Sequence, residues 1–400
     1  MSVAWNSSIS IIVPNLNGRD MLEHCLNAVF NLDYPKSLIE VIVVDNASID
    51  GSTYFLSRHY PKVRIIQSDT NVGFAQAINL AAEQAEGTYL FLLNNDAAPD
   101  PDCIKQLLSP ILAGECECTS AQIVNEDRST IHFSGGGMNF HGIAFQTKEG
   151  EAYLPAAANT PSQPVLFACG AAMIISTKLF NQTGGMDADF FAYFEDVDFG
   201  WRLWILGHRV HYVPTAVVTH KQSSTSRFIW LPKLRVLHIR NPLMMIYKNY
   251  EQGFLNAVLP VALMLTAQRS RRLTDWPEDR FAINNETQLA DTHLSIVQPT
   301  IVQPSIAQKR DANADNEPLT LPPLAASDFI ALNNWVDNFE GLNKKREALQ
   351  SARVHSDAEL LNLFVDPFRY AEQDAEYQRL QNSFVTAFGI NELFCKASQA

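Results

Sequence analysis

The sequence has few cysteines, few cations and no disulfide or zinc framework. Its six cysteines are sparse for 400 residues, and Cys116 and Cys118 do not have the CxxC spacing of a zinc or redox motif. We therefore expect free thiols in a reducing compartment, which predicts a cytoplasmic location. The net charge of −13 argues against general nucleic-acid binding, because that activity needs a basic surface.

Long hydrophobic runs and glycine-rich phosphate-binding loops are also missing from the sequence. The first residues, MSVAWNSSISIIVP, have neither the basic start nor the apolar run of a signal peptide. The run FLNAVLPVALML, which starts at Phe254, is too short to span a bilayer. Because the GxxxxGK[ST] and GxGxxG patterns do not occur, no P-loop or dinucleotide-binding loop is expected. A site that holds a nucleotide diphosphate through a metal ion is still compatible with the sequence.

Strand and helix patterns alternate over roughly the first hundred residues. Apolar runs predict strands that end near Pro14, Asp45 and Leu93, and helical periodicity recurs between them. This alternation predicts an α/β fold with a mainly parallel sheet, right-handed crossovers and helices on both faces. The pattern is less regular after residue 114, where VLFACGAAMIIS predicts one strand and HRVHYVPTAVVTH predicts two short ones.

Composition divides the remainder of the chain into segments. We expect a catalytic domain over residues 1–226 and a basic, apolar helical segment over 227–280 that packs on this domain or extends it. Residues 281–327 are polar, contain several prolines and include IVQPTIVQPSIAQ, which is typical of a flexible linker. Helical periodicity returns over 328–400, and this C-terminal extension is expected to be a separate packing unit or a docking element for an oligomer.

The segment 227–272 also predicts a peripheral membrane contact. It contains eight basic residues and a single acid, Glu251, next to apolar runs. This composition is typical of a helix that lies among anionic headgroups. The alternative is that the apolar side chains pack under the catalytic domain while the cations are solvated.

Two of the predicted strands end in carboxylates. Asp45 follows VIVV, and Asp96 follows LFLLNN. Because the carboxyl ends of parallel strands share one edge of a sheet, the two side chains can meet across a crevice. Each one alone has an ordinary alternative as a turn residue. A pair would suit Mg²⁺, which proteins hold with one or two carboxylates plus substrate phosphates.

Three acids crowd the start of a predicted helix in FFAYFEDVDFGWR. Glu195, Asp196 and Asp198 have a structural alternative, because acids favour helix N-termini and Asp198 can pair with Arg202. The aromatic residues before them favour a functional site, since a carboxylate among apolar rings has a raised pKa that suits a general base. His220 closes the apolar run AVVTH, where it is either structural or a metal ligand.

Taken in order, these stretches resemble the family 2 glycosyltransferases. The resemblance is carried by ISIIVPNLNGRD, VIVVDNASIDGS, NVGFAQAINLA, YLFLLNNDAAPD and the segment from GAAMIIS to VPTAVVTH, and it covers residues 8–250. The most similar branch contains rhamnosyltransferases and galactofuranosyltransferase-like enzymes of cell-surface polysaccharide synthesis. The resemblance implies a GT-A fold and an inverting transfer from a nucleotide-diphospho sugar, such as dTDP-rhamnose or a UDP-sugar. It also implies a saccharide or lipid-linked acceptor and a divalent cation, Mg²⁺ or Mn²⁺.

The resemblance further implies roles for individual residues. Asp96 would bind the metal in a motif that here reads Asn94-Asn95-Asp96, and His220 would complete the metal site. Asp196 would be the catalytic base, with Glu195 as its neighbouring candidate. The residues expected to bind the nucleotide sugar are Pro14, Asn17, Asp45, Asn71, Gly73 and Asn95.

Two other functions are compatible with the same patterns. The chain could be a catalytically inactive subunit that binds nucleotide sugars, but the presence of both Asp96 and Asp196 weighs against this. It could be a nucleotidyltransferase that makes the donor. That class is expected to have a glycine-rich basic loop near the first strand, whereas VPNLNGRD has one glycine and one arginine.

Overall fold

The computed structural model describes residues 5–221, 230–274 and 321–397. A β-sheet lies at the centre of the fold. The strands are β1 (Ile9–Asn15), β2 (Ile39–Asp45), β3 (Arg64–Gln67), β4 (Tyr89–Leu93), β5 (Ala97–Pro99), β6 (Cys118–Asn125), β7 (Ile131–Phe133), β8 (Gly136–Met138), β9 (Ala144–Gln146), β10 (Gln163–Pro164), β11 (Ala172–Ser176) and β12 (Val210–His220). The α-helices are α1 (Arg19–Phe30), α2 (Ser52–His59), α3 (Gly73–Ala82), α4 (Cys103–Leu112), α5 (Thr177–Gln182), α6 (Glu195–Ile205), α7 (Leu231–Asn249), α8 (Gln252–Arg271), α9 (Pro323–Asp337), α10 (Phe339–Ser351), α11 (Asp357–Leu360), α12 (Ala375–Ala387) and α13 (Ile390–Ala397).

The central sheet has the strand order β10-β12-β6-β11-β4-β1-β2-β3. Its half from β3 to β4 is parallel, which confirms the predicted α/β arrangement. β11 lies antiparallel between β4 and β6, and β12 runs parallel to β6. Since β11 is antiparallel to both of its neighbours, β6 and β12 run in the same direction as β4. β12 therefore ends at the same edge of the sheet as β1, β2 and β4.

Alternating apolar residues explain how both faces of the sheet are covered. In β1, Ile9 and Ile11 pack in the core that contains the apolar residues of α1 and α4. Ile12 packs on the opposite face, in the core that contains those of α3, α5 and α6. These side chains are fully buried, and each such burial stabilises the fold by roughly 1.5–3 kcal/mol. The predicted helices on both faces are confirmed.

β12 corrects one sequence prediction. The stretch from Val210 to His220 forms one long strand rather than two short ones. Its register against β6 shifts between Val213 and Val217. Pro214 lies within this shift, and a proline has no N–H to donate to the ladder. The proline therefore interrupts the pairing locally without ending the strand.

Many apolar residues of α7 and α8 are buried, so they are not available for the predicted membrane contact. Leu243, Ile246, Val258 and Leu265 all belong to the core that includes β1. Four of the cations are paired with C-terminal carboxylates, namely Arg235 with Asp328, Arg269 with Glu372, Arg271 with Glu376 and Arg272 with Asp374. Within the described ranges, no helix combines the length and apolar character needed to cross a bilayer. Much of this segment therefore packs under the catalytic domain, and a membrane contact by its exposed residues stays a prediction.

The C-terminal helices do not form a unit of their own. Leu342, Phe364 and Tyr377 lie in the same apolar core as the sheet. Residues 281–320 of the predicted linker, 281–327, lie outside the described residues. The predicted domain boundary after residue 226 also lies outside them. Helix α9 begins at Pro323, inside the predicted linker, because proline suits the first turn of a helix and the buried Ala325 anchors that turn.

Candidate active site

Polar side chains join the ends of β1, β2 and β4 in one chain of hydrogen bonds. Asn95 Nδ2 donates to Asn15 Oδ1 at 2.8 Å, and Asn15 Nδ2 donates to Asp45 Oδ1 at 3.2 Å. The Ser48 N–H donates to Asp45 Oδ2 at 3.2 Å. The strand ends therefore meet as the parallel sheet predicts. Sequence analysis missed Asn15, although it ends its strand as Asp45 does and the same rule could have found it.

Asn17 connects the loop after β1 with the loop after β2. Its N–H donates to Ser48 Oγ at 2.8 Å, and its Oδ1 accepts from the Ile49 N–H at 2.8 Å. Its φ of +50° is a conformation that asparagine adopts more readily than most residues. Pro14 is half-buried in β1, in register with Val44 of β2. These contacts shape the rim of the sheet edge, and nucleotide binding by Asn17 and Pro14 stays a prediction.

Asn71 and Gly73 shape the start of α3. Asn71 Oδ1 accepts from Asn46 Nδ2 at 2.9 Å and from the Gly73 N–H at 3.0 Å. Gly73 has a φ of +84°, and a Cβ at this position would lie 2.4 Å from the Phe191 carbonyl oxygen. Only glycine fits this conformation and this close approach. The glycine predicted to lie beside the nucleotide thus also brings α3 against the aromatic loop that precedes α6.

Asp96 and His220, the two predicted metal ligands, lie side by side. His220 Nε2 is 2.9 Å from Asp96 Oδ1. The imidazole of His220 stacks on that of His132, with ring centroids 5.2 Å apart, and their Nδ1 atoms are 3.2 Å apart. His132 therefore fixes the orientation of His220. Sequence analysis missed His132, because it lies in the three-residue strand β7 and contacts His220 only through the fold.

Asn94 adds an oxygen to this group. Its Oδ1 is buried and has no hydrogen-bond partner, while its Nδ2 lies 3.3 Å from His220 Nε2. A buried oxygen without a partner is costly unless something binds it. Carboxylate and amide oxygens are suitable ligands for Mg²⁺ or Mn²⁺, and an imidazole nitrogen suits a transition-metal ion such as Mn²⁺ better than Mg²⁺. In the part of the chain that the structure describes, no three His, Cys, Asp or Glu side chains gather as a metal cluster. A metal here would therefore need ligands from a bound diphosphate.

A small open cavity of about 30 Å³ borders Asp96 and His220. It is lined by both acidic and basic side chains, including Asp20, Glu126 and Lys221. Three carboxylates thus face it against one lysine and the histidines. A diphosphate would be repelled by these carboxylates unless a cation lay between them. The charge distribution therefore favours binding of a diphosphate together with a divalent cation.

Asp196 lies in the first turn of α6, close to the end of β4. Its Oδ2 accepts from the Gly170 N–H at 2.9 Å, and its Oδ1 accepts from the Val197 N–H at 2.8 Å. The Asn94 N–H donates to the Ala171 carbonyl at 3.1 Å, so the Gly170 loop connects Asp196 with the end of β4. Burial raises the pKa of Asp196 above its ordinary value. A carboxylate with a raised pKa is suited to accept a proton near neutral pH.

Glu195 is the more deeply buried neighbour of Asp196. Its Oε2 has no hydrogen-bond partner. Burial, reinforced by the charge of Asp196, raises the pKa of Glu195 to about 8. Because a buried ionised carboxylate without partners is unfavourable, we expect Glu195 to be neutral at moderately acidic pH. The two adjacent acids therefore differ, with both oxygens of Asp196 held by N–H donors and the Oε2 of Glu195 left without a partner.

Replacement of Glu195 by glutamine is expected to remove a pH-dependent loss of stability. The folded protein binds the Glu195 proton with a pKa of about 8, compared with an ordinary value of 4.5. The stability that the neutral Glu195 side chain contributes is therefore fully present below its ordinary pKa and is lost as pH rises through the pKa of the folded protein. Thermal unfolding should show that the free energy of unfolding of Glu195→Gln increases relative to that of the wild type between about pH 5 and pH 8.5, by on the order of 2–4 kcal/mol. Parallel pH curves would contradict the assignment, and exposed Glu83→Gln is the control.

Asp198 has a structural role. It is fully buried, and its carboxylate binds Arg202 Nε at 2.8 Å and Lys248 Nζ at 2.9 Å. Asn249 Nδ2 also donates to it at 3.2 Å. A carboxylate saturated by two cations and an amide is a poor proton acceptor. The ion pair expected between Asp198 and Arg202 is therefore present, and Asp198 is not a candidate base.

Comparisons with known proteins extend these observations. The model of the family described as "Glycosyl transferase family 2" matches residues 10–184. An N-acetylglucosaminyl-diphospho-decaprenol L-rhamnosyltransferase of Mycobacterium tuberculosis is 27% identical over 211 residues, which are 47% of this chain and 69% of the relative. The glycosyltransferase AglE of Haloferax volcanii is 36% identical over 106 residues, covering 26% of this chain and 35% of AglE.

A solved structure supports the fold. The crystal structure of GalNAc-T7 with UDP, GalNAc and Mn²⁺ superposes with a TM-score of 0.50 at 15% identity, covering 64% of this chain and 51% of that one. At this identity the likeness concerns the fold alone. The parallel strands of the sheet and the carboxylates at their ends agree with the match to the family model. Residues 10–184 of this chain therefore match the family 2 glycosyltransferases, and the chain has the GT-A fold.

Proposed function

We propose that this chain is an inverting glycosyltransferase that moves a sugar from a nucleotide-diphospho donor to a hydroxyl group of a saccharide or lipid-linked acceptor. The observation that carries the proposal is the position of two distinct acidic groups beside the end of β4. Asp96 contacts His220 on one side, and Asp196 is held by the Gly170 loop on the other. The first group suits a diphosphate with its cation, and the second suits a general base.

The donor would bind along the carboxyl edge of the sheet. Its diphosphate would lie beside Asp96 and His220, with the oxygen of Asn94 nearby. When bound there, Mg²⁺ or Mn²⁺ would act as a Lewis acid that neutralises charge on the leaving diphosphate. The base, ribose and sugar would contact the polar rim, to which we assign Pro14, Asn17, Asp45, Asn71, Gly73 and Asn95.

The transfer step requires only one proton acceptor from the protein. The acceptor hydroxyl oxygen forms a bond to the anomeric carbon while the bond from that carbon to the diphosphate oxygen breaks. Asp196 takes the hydroxyl proton, and the electron pair of the broken bond leaves with the nucleoside diphosphate. Attack on the face opposite the leaving group inverts the anomeric centre. The raised pKa of Asp196 supports this role.

The substrates are proposed from the relatives. The printed name of the mycobacterial relative describes rhamnosyl transfer to a lipid-linked sugar diphosphate. We propose dTDP-rhamnose or a UDP-sugar as the donor and a lipid-linked or saccharide acceptor of cell-surface polysaccharide synthesis. The cytoplasmic location and an oligomer formed through the C-terminal region stay predictions.

A panel of dTDP- and UDP-sugars with lipid-linked and saccharide acceptors tests this function. A glycosyltransferase releases nucleoside diphosphate fastest when donor and acceptor are both suitable, and it releases it more slowly by hydrolysis when the acceptor is omitted. An inactive binding subunit would bind donors in calorimetry without releasing any nucleotide. A nucleotidyltransferase would exchange pyrophosphate instead. Either of these last two results would contradict the proposal.

We propose that a peripheral membrane contact, which would bring the enzyme to a lipid-linked acceptor, is made by exposed residues at the start of α7 and in the middle of α9 rather than by the buried faces of these helices. Trp230 and Leu231 are 62% and 59% exposed, and Phe329 and Ile330 are 57% and 52% exposed. Trp230→Glu combined with Leu231→Glu should reduce sedimentation with anionic liposomes. Arg271→Glu combined with Arg272→Glu is the matched control, because these arginines pair with α12. A larger loss in the control would contradict this contact.

A further inference from the structure

The loop that precedes the acid pair has a strained backbone. Phe191, Tyr193 and Phe194 have φ angles of +63°, +68° and +68°. L-residues with bulky side chains rarely adopt positive φ, and such residues persist only where surrounding contacts hold them. Phe194 is directly followed by Glu195 and Asp196 at the start of α6. The conformation of this loop therefore sets the position of the acid pair.

One buried side chain of α7 holds most of this loop. Asn241 is fully buried, and its Nδ2 donates to the carbonyl oxygens of Phe190, Ala192 and Tyr193 at 3.0, 2.9 and 2.8 Å. Arg240 Nε donates to Asn241 Oδ1 at 3.0 Å. Because this bond occupies the amide oxygen, the amide nitrogen is the atom that faces the loop carbonyls.

The remaining loop carbonyls are bound from other directions. The Phe74 and Ala75 N–H groups at the start of α3 donate to the Phe191 carbonyl at 2.6 and 3.3 Å. Arg240 Nη2 donates to the Asp189 carbonyl at 2.7 Å. The loop is thus fixed between α3, which lies inside the region matched by the family model, and α7, which lies outside it.

We propose that Asn241 is a positioning residue for sugar transfer, which acts by holding the strained loop so that Asp196 meets the acceptor hydroxyl. This inference rests on the proposed function, in which Asp196 is the base. Asn241 lies 45 residues after Asp196 in the sequence, and its amide nitrogen donates to backbone carbonyls of the loop. Its loss should therefore misplace the base while leaving the donor edge at β1, β2 and β4 unchanged. Misplacement by about 1 Å can lower a rate by about 10²-fold.

Double-mutant kinetics tests this proposal. Asn241→Ala should lower kcat by about 10–100-fold while the Kd for nucleotide sugar, measured by calorimetry, changes less than about two-fold. In an Asp196→Asn background the same substitution should change kcat by less than about two-fold, because residues that act through one group are not additive. Asn241→Asp keeps the shape but turns an oxygen toward three carbonyls, so it should lose as much activity as Asn241→Ala.

Two further variants keep the test decisive. Asn139→Ala truncates another buried asparagine, which donates to the Arg369 carbonyl away from the loop, and it should keep full kcat. Arg240→Lys loses the bond that orients Asn241, and it should show a smaller loss with the same dependence on Asp196 even if Asn241→Ala does not fold. Equal losses in both backgrounds would overturn the proposal for Asn241. Full activity of Asp196→Asn would instead overturn the proposed function.

Discussion

Replacement of Asp96 by alanine is expected to lower the rate of sugar transfer by about 10²–10⁴-fold. Asp96 contacts His220 beside a cavity lined by further carboxylates. Without Asp96 the cation that accompanies the donor diphosphate would lose its main protein ligand, and charge on the leaving group would raise the barrier by several kcal/mol, at about 1.4 kcal/mol for each factor of ten. Initial rates with saturating donor, with and without added Mn²⁺, measure this effect.

Two controls make the Asp96 result specific. Asp102→Ala removes an exposed carboxylate whose hydrogen bond is to Gln106 Nε2, at 2.9 Å, and it should leave the rate unchanged. Calorimetry of Mn²⁺ with UDP or dTDP should show weaker binding to Asp96→Ala than to the wild type. Full wild-type activity in excess EDTA would refute a metal-dependent role for Asp96.

Replacement of Asp196 by asparagine is expected to lower kcat by about 10²–10⁴-fold with little change in donor affinity. Asparagine keeps the shape of the side chain but cannot accept the acceptor proton. Because burial raises the pKa of Asp196, the wild-type rate should fall as pH drops through that raised value, since the protonated acid is not a base. The variant should lack this acidic limb.

Donor binding decides how an Asp196 result is understood. Normal calorimetric affinity together with low kcat supports a base. A collapse of donor affinity would make Asp196 a binding or structural residue, and Glu195 would become the candidate base. Asp198 does not compete for this role, because Arg202 and Lys248 already bind its carboxylate.

Local sequence patterns predicted the elements that form the donor edge. The apolar runs before Asp45 and Asp96 ended in strands at the positions expected, because buried parallel strands have a continuous apolar sequence. The juxtaposition of Asp96 with His220 was also predicted, although from the family resemblance and not from spacing. The single strand β12 was missed because Pro214 suggested a break, whereas the pairing with β6 continues beyond it.

Contacts between distant parts of the chain could not be predicted from the sequence. His132 and Asn241 have no motif around them, and their partners lie 88 and about 50 residues away in the sequence. The packing of residues 227–272 could not be predicted for a similar reason. The composition of residues 227–272 is as suitable for a helix at a membrane surface as for a buried helix pair. Only the packing of α9 and α12 against this segment distinguishes the two arrangements.

Diffraction from crystals grown with Mn²⁺ and a nucleoside diphosphate, collected at the manganese absorption edge, would locate the metal and the nucleotide. We expect one anomalous peak in direct contact with Asp96 and His220, next to the diphosphate, with the nucleoside along the ends of β1 and β2. We also expect Asp196 to face the open side of the sugar position. A nucleotide bound at another edge of the sheet, or a manganese peak away from Asp96, would contradict the proposed function.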